Sequence, residues 1–153
     1  MSDIYGFTSV ENRWLSNFYK LQYPIEYRNL AFNTTENLYQ ALKCKHDSDF
    51  VKFADISPYE AKKLGQTVEL IDEWDYGQFL KFEVMKFVTD LKYDQAFFKE
   101  KLLATEDYYI EETNSWHDNI YGNCNCDKCK DIIGLNHLGK IIMEKRERLK
   151  KEL

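Results

Sequence analysis

At 153 residues the chain is long enough to bury a sizeable core without disulfide staples, and its 44% apolar and 16% aromatic content, with 11 Tyr, 10 Phe and 3 Trp, promises a ring-rich interior. A net charge of −5, from 26 acidic against 21 basic side chains, argues against general binding to duplex phosphates. With 6 Gly, 2 Pro, no internal repeat, no apolar signal segment and no apolar run long enough to span a bilayer, the sequence predicts a soluble, cytoplasmic protein with no membrane partner. For a viral source that would be the host cytoplasm.

Residues 4–32 mix aromatic, β-branched and turn-forming residues, as in Tyr23-Pro24-Ile25-Glu26-Tyr27-Arg28-Asn29-Leu30, and read as a small hairpin or irregular sheet. The pattern turns helical over 34–46, a short helix follows at 49–54, and another starts at Ser57-Pro58 and stops at Gly65. The longest helix is expected over 72–93, with Leu80, Val84, Phe87, Val88 and Leu91 as its buried stripe. A shorter helix covers 94–104, and 108–111 reads as a strand returning to the N-terminal sheet. A polar loop spans 113–131, and Leu135, Leu138, Ile141, Ile142 and Leu149 mark a final helix whose basic end is a solvated face. Ordered loops of that length tend to be functional or held by a ligand. No boundary is visible, so the reading is one domain over 1–153, of class α+β, helix-dominated, with a small N-terminal β element.

Three constellations carry chemistry. In the stretch 33–43, Glu36, Gln40 and Lys43 are offset by four and seven residues, which brings them to one stripe at about 3.6 residues per turn. Leu38, Ala41 and Leu42 point the other way, toward a core. A carboxylate, an amide and an amine on one stripe suit an active site. The plainer reading is a solvated helix face, capped by Asn33 with Glu36. Second, Cys124, Cys126 and Cys129 form a Cys-x-Cys-x-x-Cys group suited to zinc, with His117, in the same loop, preferred to His137 as fourth ligand. Such a closed site would be structural, the alternative being three reduced thiols, and Cys44 reads as a lone buried thiol. Third, Trp14, Asn17, Phe18 and Tyr19, and again Trp116, Asp118, Asn119 and Tyr121, set rings beside polar groups, as nucleobase pockets do and as ordinary core aromatics also do.

Read in order, Leu15-Ser16-Asn17-Phe18-Tyr19, the run from Thr35 through Glu36, Asn37, Tyr39, Gln40 and Ala41 to Lys43, and Ser57-Pro58 with Ala61-Lys62-Lys63-Leu64-Gly65 resemble the NADAR (YbiA-like) family. Trp74-Asp75, Val84-Met85, Leu102-Leu103-Ala104-Thr105 and Gly134, Asn136, Leu138-Gly139 and Ile141-Ile142-Met143 continue the match over nearly the whole chain. The resemblance implies a mainly helical YbiA-like domain that cleaves N-glycosidic bonds. Its substrate would be ADP-ribosylated guanine, as nucleotide or on DNA, or a ribosylamino-pyrimidine phosphate of riboflavin synthesis. It also implies a lysine, matched by Lys43, that forms a Schiff base with opened ribose.

On that basis Glu36 would move the proton and Asp118 would orient ribose hydroxyls or water. A lysine attacks only when neutral, so its pKa must fall through burial or a nearby cation such as Lys62 or Lys63. Asn17, Phe18, Tyr39, Gln40, Trp74, Trp116, Tyr121, Gly122 and Asn136 would bind substrate, with no cofactor required for catalysis and zinc, if bound, structural. The sequence departs from the family's pattern at Asn37 (His in many members), Lys81 (near an Arg), Glu106 and His117 (Gly), and Tyr121 before Gly122 (Trp-Gly), which leaves substrate choice open. Two rivals stand beside this reading. One is a non-catalytic module binding NAD or ADP-ribose, and the other a zinc knuckle for single-stranded nucleic acid, which the acidic balance disfavours.

Overall fold

A computed structural model describes residues 2–76 and 79–153. In chain order it contains strands β1 (Ile4–Tyr5), β2 (Ile25–Tyr27) and β3 (Leu30–Phe32) and helices α1 (Thr35–Leu42), α2 (Asp47–Phe50), α3 (Pro58–Leu64), α4 (Phe79–Tyr93) and α5 (Ala96–Ala104). Strands β4 (Ile110–Glu111), β5 (Thr113–Asn114) and β6 (Asn123–Cys124) follow, then helix α6 (His137–Lys151). This is the expected helix-dominated α+β class. The chain divides into two compact units, one of Asn17–Gln95 and one of the residues up to Ser16 together with Ala96–Leu153.

In the contiguous unit, β2 and β3 form an antiparallel hairpin with Ile25 opposite Phe32 and Tyr27 opposite Leu30. Arg28 and Asn29 make its two-residue turn with φ of 50° and 63°, the doubly left-handed geometry that matches strand twist. Arg28 then lies over the Phe50 ring at 4.6 Å and 3.5 Å from the Asp47 carboxylate. Helix α3 starts as expected: Ser57 accepts from the Glu60 N–H, Glu60 accepts from the Ser57 N–H, and Pro58 occupies the first turn.

Two expectations need correction here. Helix α4 begins at Phe79, residues 72–76 are turns, and residues 77–78 of the expected helix lie outside the described residues. Its buried side is Met85, Val88, Thr89 and Lys92, while Phe87 is exposed and Leu80, Val84 and Leu91 are half-buried. Thr89 and Lys92 count as polar by hydropathy yet turn inward, so the apolar residues alone misplace the face.

In the discontinuous unit, β1 pairs in parallel with β4, Ile4 beside Ile110 and Tyr5 beside Glu111, so 108–111 does return to the N-terminal strand. The expected loop over 113–131 is more ordered than its polarity suggests: β5 and β6 pair in parallel, and a 3₁₀ turn covers Asp127–Cys129. Helix α6 buries Leu138, Ile141, Ile142 and Leu149, as its spacing predicts, and also Arg146, whose guanidinium donates to Thr105 Oγ1 and the Tyr108 carbonyl at 2.8 Å. Leu135 precedes the helix and is exposed.

Candidate functional site

Helix α1 is buried on nearly every side. Leu38 and Ala41 are fully enclosed, and Glu36 and Gln40 of the polar stripe are buried as well, 7% and 6% exposed, while Lys43 is half-buried. The solvated-face reading therefore fails for these two. The capping reading fails as well, because the N-cap is Thr34, whose hydroxyl accepts from the Asn37 N–H at 3.1 Å. The Glu36 carboxylate is spared from capping and instead accepts from Gln40 Nε2 at 2.8 Å. Burying a carboxylate is costly unless hydrogen bonds or charge compensate, which makes this a built arrangement rather than a surface accident.

Lys43 ends the helix, and its carbonyl accepts from the Ile71 N–H at 2.9 Å. Burial holds its ammonium below the ordinary lysine range; the Glu36 and Asp75 carboxylates oppose that shift, and the Lys81 cation adds to it. The cation that bears on Lys43 is thus Lys81, whereas Lys62 lies over the Phe18 ring at 5.9 Å. Gly65 packs against this pair. A methyl at its Cα would stand 2.0 Å from Gln40 Oε1 and 3.0 Å from Lys43 Cε. Gln40 Oε1 is buried and finds no hydrogen-bond partner among the described residues, leaving an acceptor beside Lys43.

Other predicted residues of this unit surround the helix. Asn17 accepts from Thr35 Oγ1 at 2.9 Å through its side chain and from the Glu36 N–H at 3.1 Å through its carbonyl, so it fixes the start of α1. Phe18 meets Tyr59 edge-on at 4.8 Å, and Tyr39 packs against Trp74 with ring centroids 5.5 Å apart, both largely buried. Asn37, 1% exposed, is consumed by the fold: Nδ2 donates to the Phe53 and Ile56 carbonyls at 2.8 Å, and Oδ1 accepts from Thr34.

The remaining predicted residues belong to the discontinuous unit. One oxygen of Asp118 accepts the N–H groups of Ile120 at 3.0 Å and Tyr121 at 2.9 Å, closing a tight turn. Beneath it lies Asn114, which the sequence reading left unassigned: Oδ1 accepts from the Trp116 and Asp118 N–H groups, and Nδ2 donates to the Asp118 carbonyl. Trp116 is 49% exposed, Tyr121 is half-buried, and Gly122 is pressed so close to Glu112 that a Cβ would meet its carboxylate at 1.8 Å. Asn136, 2% exposed with φ 50°, donates to the Ile110 carbonyl and accepts from the Glu112 N–H, so its amide serves strand β4.

In the same unit His117, Cys124, Cys126 and Cys129 bring four donor atoms within 4.8 Å of one another, a group that could hold a metal ion. His137 is not part of it. No helix among the described residues is long and apolar enough to cross a membrane.

Residues 5–150 match the NADAR domain family. The chain is 33% identical over 133 residues to the N-glycosidase Npun_R5314 of Nostoc punctiforme, covering 82% of this chain and 80% of that protein. The NMR structure of the E. coli protein YbiA superposes with a TM-score of 0.79 at 26% identity, covering 99% of this chain and 88% of that one. The chain belongs to the NADAR domain family.

Proposed function

We propose that the protein is an N-glycosidase that hydrolyses the bond between ribose C1 and a base or amine nitrogen, with Lys43 as nucleophile and Glu36 as proton carrier. The observation that carries this reading is a lysine kept below its usual pKa at the end of a buried helix, about one turn after Gln40 and two after Glu36 of an enclosed pair. A neutral amine attacks where an ammonium does not, and burial supplies that form at ordinary pH more readily than for a solvated lysine.

The reaction balances without a cofactor. The leaving nitrogen takes a proton from Glu36 as its bond to C1 breaks, and the Lys43 lone pair forms the new C1–N bond. Lysine nitrogen returns a proton to Glu36, and Glu36 passes it to the ring oxygen as the C1–oxygen bond opens, leaving a protonated imine and the Glu36 carboxylate. Water then adds to C1 and gives one proton to Glu36, and the other passes from the new hydroxyl to the lysine nitrogen as the C1–lysine bond breaks, releasing the ribose aldehyde and restoring the neutral amine and the acid form of Glu36. Gln40 holds the Glu36 carboxylate through Nε2, and its Oε1 would accept a hydroxyl of the sugar. Support for the reaction class comes from the N-glycosidase relative; support for the substrates, ADP-ribosylated guanine or a ribosylamino-pyrimidine phosphate, comes from family resemblance alone. A metal in the His117 and cysteine group takes no part in these steps, and zinc there would be structural.

The test is trapping. Incubation with each candidate glycoside and borohydride should leave a reduced ribosyl adduct on Lys43 by mass spectrometry, absent in Lys43→Ala. Equal base release by Lys43→Ala and the unmodified protein would overturn the covalent scheme. Binding without release of base from any glycoside in the panel would favour the non-catalytic module.

A further inference from the structure

We propose that His117 Nδ1 and the sulfurs of Cys124, Cys126 and Cys129 bind one zinc ion, and that Asn119 couples the filled site to the turn carrying Trp116, Asp118 and Tyr121. This extends the structural reading of that group by naming its geometry and its outer residue.

The distances are the first argument. Nδ1 lies 3.9, 3.3 and 3.5 Å from the sulfurs of Cys124, Cys126 and Cys129. A tetrahedral zinc with Zn–S of about 2.3 Å and Zn–N of about 2.0–2.1 Å requires N···S edges of about 3.6 Å. The observed edges straddle that value. Hydrogen bonding alone does not explain the convergence, since one imidazole nitrogen has a single lone pair and can accept from one thiol, not three. His117 also sits at φ 70°, left-handed for a residue with a Cβ, a conformation that surrounding structure must hold.

Local folding brings the donors together. Cys124 ends β6, and the 3₁₀ turn Asp127–Cys129 carries Cys129 back, with its N–H donating to the Cys126 carbonyl at 3.1 Å. Cys124 and Cys129 are buried, so the centre is shielded from solvent on that side. Three soft thiolates and one imidazole select zinc over hard cations and leave no open coordination position.

Asn119 is the link. Its Oδ1 accepts from the Cys124 N–H at 2.9 Å, and its carbonyl accepts from the Leu135 N–H at 2.8 Å. Its side chain thus holds the backbone of a ligand residue while its own backbone adjoins the Asp118 turn. Outer groups of this kind orient ligands, and their loss typically lowers metal affinity about 10–100-fold.

The experiment uses the full chain, purified without an affinity tag or chelator. Elemental analysis should give one zinc per chain, and replacement by cobalt should give the visible bands of tetrahedral coordination with intense thiolate-to-metal absorption in the near ultraviolet. Absence of stoichiometric metal both as purified and after added zinc, or an octahedral cobalt spectrum, would overturn the site without any variant having to fold. For Asn119→Ala, the expectation is a bound zinc that a chromogenic chelator removes at least tenfold faster, with faster hydrogen exchange at the Ile120 and Tyr121 amides. Tetrahedral cobalt in the unmodified protein, with unmodified release and exchange in Asn119→Ala, would leave zinc binding standing and overturn the role of Asn119.

Discussion

Gly65→Ala isolates the packing that sets the Gln40 and Lys43 side chains. Gly65 has φ −59°, ψ −20°, a helical conformation any residue adopts, so the substitution adds no backbone strain and gains about 0.5–1 kcal/mol from the less flexible unfolded chain. Its new methyl, however, would stand 2.0 Å from Gln40 Oε1 and 2.8 Å from Gln40 Cδ. Overpacking by one methyl costs about 1–3 kcal/mol. Moving the amide also gives up the 2.8 Å bond to Glu36, about 1.5–3 kcal/mol for a charged partner. The net expectation is a loss of about 2–4 kcal/mol in urea unfolding. In a Gln40→Ala background only the Lys43 Cε contact at 3.0 Å remains, and the same change should cost under about 1 kcal/mol, a coupling of at least about 1 kcal/mol. Equal costs in the two backgrounds would refute the argument.

Asn37→Ala removes an amide that serves the Phe53 and Ile56 carbonyls; urea unfolding should show a loss of about 2–4 kcal/mol, from two buried hydrogen bonds at about 1–2 kcal/mol each. Lys92, fully enclosed, is held by burial at a pKa of about 7. Between that value and its ordinary 10.5 the unfolded chain binds the extra proton, so stability rises with pH across this window and the cost of the buried charge is fully present below it. Lys92→Met should therefore be more stable than the unmodified protein near pH 7 and flatten the slope above it, by at most about 1.4 kcal/mol per pH unit; identical slopes in unfolding measured from pH 7 to 9 would contradict this.

Legibility in the sequence followed the physics of each segment. The α3 boundaries were readable because Ser57, Pro58 and Glu60 act within one turn, and the cysteine cluster because its donors are neighbours in sequence. The 36-40-43 stripe was readable as geometry, but its burial was not: periodicity places polar groups on one side without saying whether solvent or protein lies there. Gly65 reads as a stop signal, yet its left-handed freedom goes unused, and what it supplies is room for Gln40 and Lys43. Lys81 and Asp75 act on Lys43 across 38 and 32 residues of sequence, a tertiary fact with no local signature. Asn114 escaped notice because its work is to satisfy backbone groups of a turn not visible until the chain has folded.

The pairing of β1 with β4 also orders events in time. Residues 17–95 form one compact unit from consecutive chain, but Ile4 finds its strand partner only at Ile110. At roughly 5–20 residues per second, synthesis leaves the N-terminal strand without that partner for roughly 5–20 s after it is made. By the end of that interval the segment bearing Glu36 and Lys43 is complete, while the opening strand has waited as an unpaired edge. A bulky fusion at the N-terminus therefore burdens a strand that docks late, and a C-terminal fusion leaves it free.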